Sequence, residues 1–270
     1  MKLRGLLALA LLSLNGLLAP AWGMTSGAAA DGNDHPATVA LLRTDGFWAR
    51  PFCSGILLSG KVVLTASHCL AAAQRAGWQI LVTNDSQLQQ DSGGWLPIPS
   101  LTTAQAPASI VLNPLYKQGY DHDVSALVLA SPINVAPAAL PALPPTNILD
   151  ELKASKFLRT ATFTVLGYGI IEKPKGQWVS QFTGGRRVGL LGFFALDKDV
   201  LHESQRINQG EEGACNGDSG GPSLLQIGGV DYVVGVTSSG DIPCYATNTA
   251  TRTDTDEALT FLARVLAQNP

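Results

Sequence analysis

Charge is scarce in this chain: Asp, Glu, Lys and Arg make up 14% of its 270 residues, and 18 basic against 21 acidic side chains leave a net charge of −3. That balance offers no basic surface of the kind nucleic acid or an anionic membrane calls for, so neither is an expected partner. Long apolar runs are also missing, apart from one near the start. It extends from Leu6 to Leu18 behind Lys2 and Arg4 and is followed by the small-residue stretch APAWG. The run falls short of the ~20 apolar residues a spanning helix needs, so it reads as an export signal over residues 1–23 rather than an anchor. Ala21 and Gly23 place a cut after Gly23, releasing Met24; a cut after Ala21, with Ala19 as its small partner, is the competitor. Metal-ligand spacings are absent as well. No C-x-x-C occurs, and His202-Glu203 lacks the second histidine of H-E-x-x-H, so neither a metal nor any cofactor is expected.

What the chain does contain fits a protein outside the cytoplasm, secreted or periplasmic. Its four cysteines suit an oxidising compartment, and of the three possible pairings the local ones, Cys53 with Cys69 and Cys215 with Cys244, would each close a loop worth ~3 kcal/mol in the chain-entropy model. Short β-branched and apolar runs recur between Gly, Pro and Ser clusters, among them ATVALL, SGILLSGKVVLTA, VSALVLA, TATFTVLGYGI and DYVVGVTSS. This is the pattern of an all-β fold with many short strands. A proline-rich stretch, too rich in proline for the interior of a strand or helix, separates two groups of such runs. The expected organisation is a β domain over 24–137, a linker over 138–156, a second β domain over 157–252 and a C-terminal helix within 253–270. For that helix, Asp254 and Glu257 stand in capping-box spacing ahead of apolar Leu259, Leu262, Val265 and Leu266.

The stretch ACNGDSGGPSLL, residues 214–225, combines an acid, a hydroxyl and glycines. Loops are made of such residues for conformational reasons alone, and a serine hydroxyl is a weak nucleophile without a base beside it. A base is available at His68, in VVLTASHCLAAA, where a strand-like run ends and a Cys53–Cys69 disulfide would restrict the ring. A carboxylate is available at Asp123, in YDHDVSALVLA, immediately before an apolar strand that must enter the core; its neighbours Asp121 and His122 are expected to face solvent. A half-buried acid requires a hydrogen-bonding partner, and orienting an imidazole is one way to satisfy it.

The motifs LTASHC, DHDVSALVL and GDSGGP, in that order, resemble those of the chymotrypsin/trypsin-like serine proteases. FCSGILLS, LGYGI, VVGVTSSG and the terminal helix extend the likeness over nearly the whole chain after the signal. The resemblance implies two six-stranded antiparallel β-barrels packed together with a C-terminal helix, in a secreted, bacterial-type member. It implies Ser219 as nucleophile, His68 as general base and then acid, Asp123 as the group fixing the imidazole tautomer, and the N–H groups of Gly217 and Ser219 as the oxyanion hole. Gly217 suits that position because it can adopt a φ closed to other residues.

Two departures from the family pattern affect specificity and activation. Where trypsin has an aspartate at the base of its specificity pocket, six residues before the nucleophile, this chain has Gly213. Gly240 matches a pocket-wall glycine, Ser238 matches a position that supports the aspartate, and Glu211 and Glu212 read as solvated loop acids. An uncharged side chain before the scissile bond is therefore expected. No basic residue precedes an apolar terminus of the IVGG kind; Met24 holds the comparable place and would pair its ammonium with Asp218. The expected protein is a monomeric secreted endopeptidase acting on proteins or peptides. The competing reading, a non-catalytic homologue used as a binding module, goes with loss of a triad residue or the oxyanion glycine, and this chain keeps them all.

Overall fold

A computed structural model describes residues 29–91, 94–173, 177–182, 184–242 and 244–270. The export segment and Met24 lie outside the described residues. Six strands make the first barrel: β1 Thr38–Thr44, β2 Trp48–Leu57, β3 Val62–Thr65, β4 Gln79–Thr83, β5 Pro107–Val111 and β6 Ser125–Leu129. They pair antiparallel in the order β4-β1-β2-β3-β6-β5, and a bridge between Val82 and Gln105 brings the ends close to closure. A further six make the second: β7 Thr162–Gly167, β8 Arg187–Leu196, β9 Val200–Ser204, β10 Pro222–Ile227, β11 Val230–Gly240 and β12 Thr247–Arg252. Their order is β8-β9-β12-β11-β10-β7, and pairing of β7 with β8 closes the ring. Closure leaves the six strands of the second ring without a free edge, which suits strands that are short and apolar.

SGILLSGKVVLTA, read as one run, divides at Ser59-Gly60 into the end of β2 and β3, because the Ser59 hydroxyl accepts the N–H groups of Lys61 and Val62 and turns the chain. The strand ends at Thr65, ahead of His68, and the chain goes on into α1, Ser67–Ala76, an alanine-rich helix ended by Gly77 at φ 63°.

The proline-rich linker also carries structure. After its last proline, α2 forms over Ile148–Ala154, contrary to the expectation that no helix interior fits there. Prolines at 141, 144 and 145 precede the helix rather than interrupt it, and the side chain of Asp254 takes the Leu149 N–H at 2.9 Å. That contact corrects the capping-box expectation. Asp254 is fully buried, bound to Arg252 at 2.9 Å and to α2, and the cap of α3, Asp256–Gln268, is Thr255, which accepts from Ala258 N. The face of α3 that is buried comprises Ala258, Phe261, Leu262 and Val265, with Leu259 and Leu266 only partly covered.

Phe261, Leu262 and Val265 join the core cluster built mainly from the first barrel, alongside Ile56, Leu64 and Leu127. A second cluster, with Phe163, Val165, Leu191 and Val234, fills the other barrel. Between the barrels lies a buried polar knot. Arg186 donates from Nε to Asp31 Oδ2 at 2.6 Å and from Nη1 to both Asn84 O and the Tyr168 hydroxyl. Burial works against the charge of Asp31, but the hydrogen bonds from His35 and Arg186 hold its carboxyl down at about 2.

Candidate active site

The turn from β3 into α1 sets the position of His68 in the first turn of a helix whose N-cap, Ala66, has no side chain able to accept an N–H. The missing acceptor is supplied from β6. Asp123, just ahead of that strand, takes the His68 backbone N–H on Oδ1 at 2.7 Å and lies 2.6 Å from the ring Nδ1 through Oδ2. Oδ2 also accepts the Ser238 hydroxyl at 2.5 Å. Asp123 is completely buried, and these donors together with the helix N-terminus offset the cost of removing its charge from water. With the Nδ1 proton directed at Asp123, Nε2 is the basic nitrogen. The Tyr120 ring stands edge-on to the imidazole, centroids 6.0 Å apart.

Ser219 lies on a loop shaped by two left-handed glycines, Gly217 at φ 97° and Gly220 at φ 84°. The first barrel holds this loop through one residue of β2. Ser54 donates its N–H to Ser219 O at 2.8 Å and its hydroxyl to Gly217 O at 2.9 Å, and it accepts the Tyr168 N–H at 2.9 Å. Gly220 permits the approach: a Cβ there would stand 2.3 Å from Ser54 O. Among the described residues no acceptor takes the N–H of Gly217 or Ser219. Ser219 and His68 line one cleft of about 430 Å³, with no hydrogen bond joining their side chains among the described residues. Such contacts are often long in an unoccupied site and tighten with substrate.

The remaining cleft lining includes Ala214, Ser238, Gly240, Asp241, Ile242 and Asn248. Of the residues expected here from the sequence, Ser238 and Gly240 are present, whereas Gly213 is buried next to Ala214 in the chain and does not line the cleft. Glu211 and Glu212 are outside it and are not free loop acids: Glu211 accepts the Ser204 hydroxyl at 2.5 Å, and Glu212 accepts the Leu190 N–H at 2.8 Å. Asp241, Asn248 and the Glu203 behind Asn248 were not singled out for this role. Asp241 keeps its carboxyl below the usual range; burial opposes this, but the N–H groups of Thr247, Tyr245 and Ala246 outweigh it. Glu203 is fully buried, and desolvation pushes it up to about 7 despite hydrogen bonds from Asn248 and Ser223.

Asp218 is fully buried too. It accepts the N–H of Gly169 at 2.8 Å and of Cys215 at 2.9 Å, yet burial still pushes its carboxyl up to about 7. Gly169 leaves room for that carboxylate, since a Cβ there would stand 2.5 Å from Oδ2. Its expected partner, Met24, lies outside the described residues. The cysteines pair as Cys53–Cys69 and Cys215–Cys244. His68 therefore stands beside two sulfurs that are already bonded to each other and have no thiolate to offer a metal.

A sequence profile described as Trypsin matches residues 24–261. Among characterised relatives, CLIP domain-containing serine protease B15 of Anopheles gambiae is 28% identical over 80% of this chain and 63% of its own length. A trypsin of Saccharopolyspora erythraea is 25% identical over 81% of this chain and 87% of its own. CLIP domain-containing serine protease B14 of Anopheles gambiae is 26% identical over 70% of this chain and 56% of its own. The chain thus spans less than two thirds of the two Anopheles proteins.

Proposed function

The chain belongs to the trypsin family, and on that premise we propose that it is a secreted serine endopeptidase that hydrolyses peptide bonds through an acyl-enzyme on Ser219. The observation that carries this reading is the 2.6 Å contact between His68 Nδ1 and buried Asp123 in a cleft shared with Ser219. His68 Nε2 takes the Ser219 proton as Oγ attacks the substrate carbonyl, and the N–H groups of Gly217 and Ser219 receive the oxyanion. Collapse expels the amine with the proton from His68, and water then releases the acid by the same steps. Asp123 stays ionised, holding the imidazole tautomer and stabilising the imidazolium.

Three finer statements belong to the same proposal. Among the described lining of the cleft the one acid, Asp241, is engaged by three backbone N–H groups, which supports an uncharged side chain before the scissile bond. Signal removal after Gly23 supplies the Met24 ammonium that Asp218, buried with only neutral donors, calls for. Two disulfides suit export, and among the described residues no helix is long and apolar enough to cross a membrane. A fluorophosphonate probe tests the central claim: it should label the secreted protein at Ser219 and leave Ser219→Ala untouched. Absence of labelling in a folded preparation would refute the proposal. N-terminal sequencing of active enzyme should begin at Met24, and a different first residue would overturn the activation route.

A further inference from the structure

Asn248 is the second residue of β12, with Glu203 of β9 directly across from it in register on one side and Gly240 of β11 on the other. Partners in register share a face of the sheet, so the three form one row along the cleft wall. Gly240 leaves the space beside Asn248 empty of side-chain atoms. The Asn248 amide is not free to turn, because Nδ2 donates to Glu203 Oε2 at 2.7 Å. Ser223 donates to the same oxygen at 3.2 Å, so any proton on this carboxyl goes to Oε1, which has no partner. Oε2 draws the NH₂ end of Asn248 toward itself, and the same nitrogen also reaches the Thr237 hydroxyl at 3.5 Å, so two acceptors hold the amide in one sense. Asn248 is only 2% exposed, but its other end, Oδ1, meets no donor among the described residues and is not one of the buried orphan atoms, so the little surface it offers to the cleft it lines includes that oxygen.

We propose that Asn248 is the specificity-determining residue of this cleft, presenting Oδ1 to a primary-amide side chain, glutamine or asparagine, before the scissile bond, with Glu203 as the positioning residue that fixes the amide in that sense. The inference rests on the peptidase reading above and names its substrate class. Each alternative side chain is worse served. An apolar one strips Oδ1 of water and pairs it with nothing, the loss that sites built around a hydrogen bond impose on isosteres lacking the donor. A carboxylate meets another acceptor. A substrate ammonium meets one acid among the described lining, Asp241, but both oxygens of that carboxylate are already engaged by three backbone N–H groups and the Gln205 amide, and Glu203 lies behind Asn248 and outside the lining, so the cation finds no acceptor to itself in place of the water it leaves.

The test uses the mature secreted protein and four peptides differing only in the residue before the scissile bond: Gln, its near-isostere Met, Lys and Glu. The wild type should favour Gln over Met in kcat/KM by at least about tenfold. Asn248→Leu should abolish that ratio. Glu203→Met, unable to hold the amide, should reduce it, and Glu203→Gln, whose Oε1 accepts the same N–H, should keep it. Damage to the fold alone would lower all four substrates together and leave the ratio unchanged, which would count against the positioning role. A wild type that prefers Met, Lys or Glu, or an Asn248→Leu enzyme with the original ratio, overturns the inference. Fluorophosphonate labelling of each preparation separates the two levels: an unlabelled wild type defeats the peptidase reading itself, whereas a labelled enzyme with the wrong preference defeats only the assignment of Asn248.

Discussion

Replacing Glu203 by Gln should change how stability depends on pH while leaving the fold intact. The carboxyl is fully buried and its hydrogen-bond partners, Asn248 and Ser223, are neutral, so desolvation dominates and raises its pKa from 4.5 to about 7. A carboxyl raised in this way binds its proton more tightly in the folded state than in the unfolded one. Its contribution is fully present below about pH 4.5 and is lost as the pH climbs through 7. Two and a half pK units at 1.36 kcal/mol each give about 3 kcal/mol lost between those limits. Gln keeps the acceptor for Asn248 and Ser223 and has no charge to desolvate, so the variant should match the wild type near pH 4.5 and exceed it by about 3 kcal/mol at pH 8. Asp218 is raised for the same reason and tilts both curves alike, so the difference between the two proteins is the quantity to read. Urea denaturation at half-unit intervals from pH 4.5 to 8.5, with Ser219→Ala in both proteins to prevent self-digestion, measures it. Parallel curves would refute the reasoning by showing that Glu203 is not a desolvated carboxyl in the folded protein.

Other substitutions probe the remaining parts. Ser219→Ala and His68→Ala should each remove nearly all peptidase activity, with losses in the double variant that fall far short of the product, as steady-state kinetics can establish. Ser54→Ala strips a partner from both Gly217 O and the Tyr168 N–H and should cost roughly 1–3 kcal/mol for each group left unpaired, together with a fall in kcat from a loosened oxyanion loop; a kcat equal to wild type would show that the loop holds its shape without the Ser54 hydroxyl, on the backbone bond from Ser54 N–H to Ser219 O alone. Arg186→Met leaves buried Asp31 with His35 as its one remaining ionisable partner and should lower unfolding free energy, by up to ~3–5 kcal/mol, in chemical denaturation.

The fold class was legible because strand-forming runs and punctuating residues recur throughout the chain, and Ser219, His68 and Asp123, on which the proposed function rests, drew notice because each stands in a short motif of its own. What escaped the sequence reading depends on contacts between distant segments. Alanine-rich residues 70–76 have the composition of a helix, but the strand-like run before them drew attention to β3 and away from α1. Asp254 resembles a cap for the helix beside it, and only the packing of α2 against that turn directs its carboxylate to Leu149 N. Asn248 stands among threonines in TNTATR with no motif to mark it. Its role emerges from register with Glu203, and Glu203 in turn was noticed only as half of an incomplete zinc motif. Similarly, Gly213 was placed by counting back from Ser219, which does not reveal that its neighbour Ala214 meets the cleft instead.

The placement of α3 bears on how the protein is made. Phe261, Leu262 and Val265 come from the far end of the chain, yet they complete a core whose other members are mostly contributed before residue 134. A polypeptide emerging from its N-terminus can pair β1 through β6 early, but it keeps an apolar face open until the final helix arrives to cover it. The first barrel thereby stays incomplete until the chain has been made as far as α3. A chain stopped short of α3 would present that uncovered face to quality-control proteases, which favour transiently open, apolar regions, so prematurely terminated copies should be degraded before they accumulate.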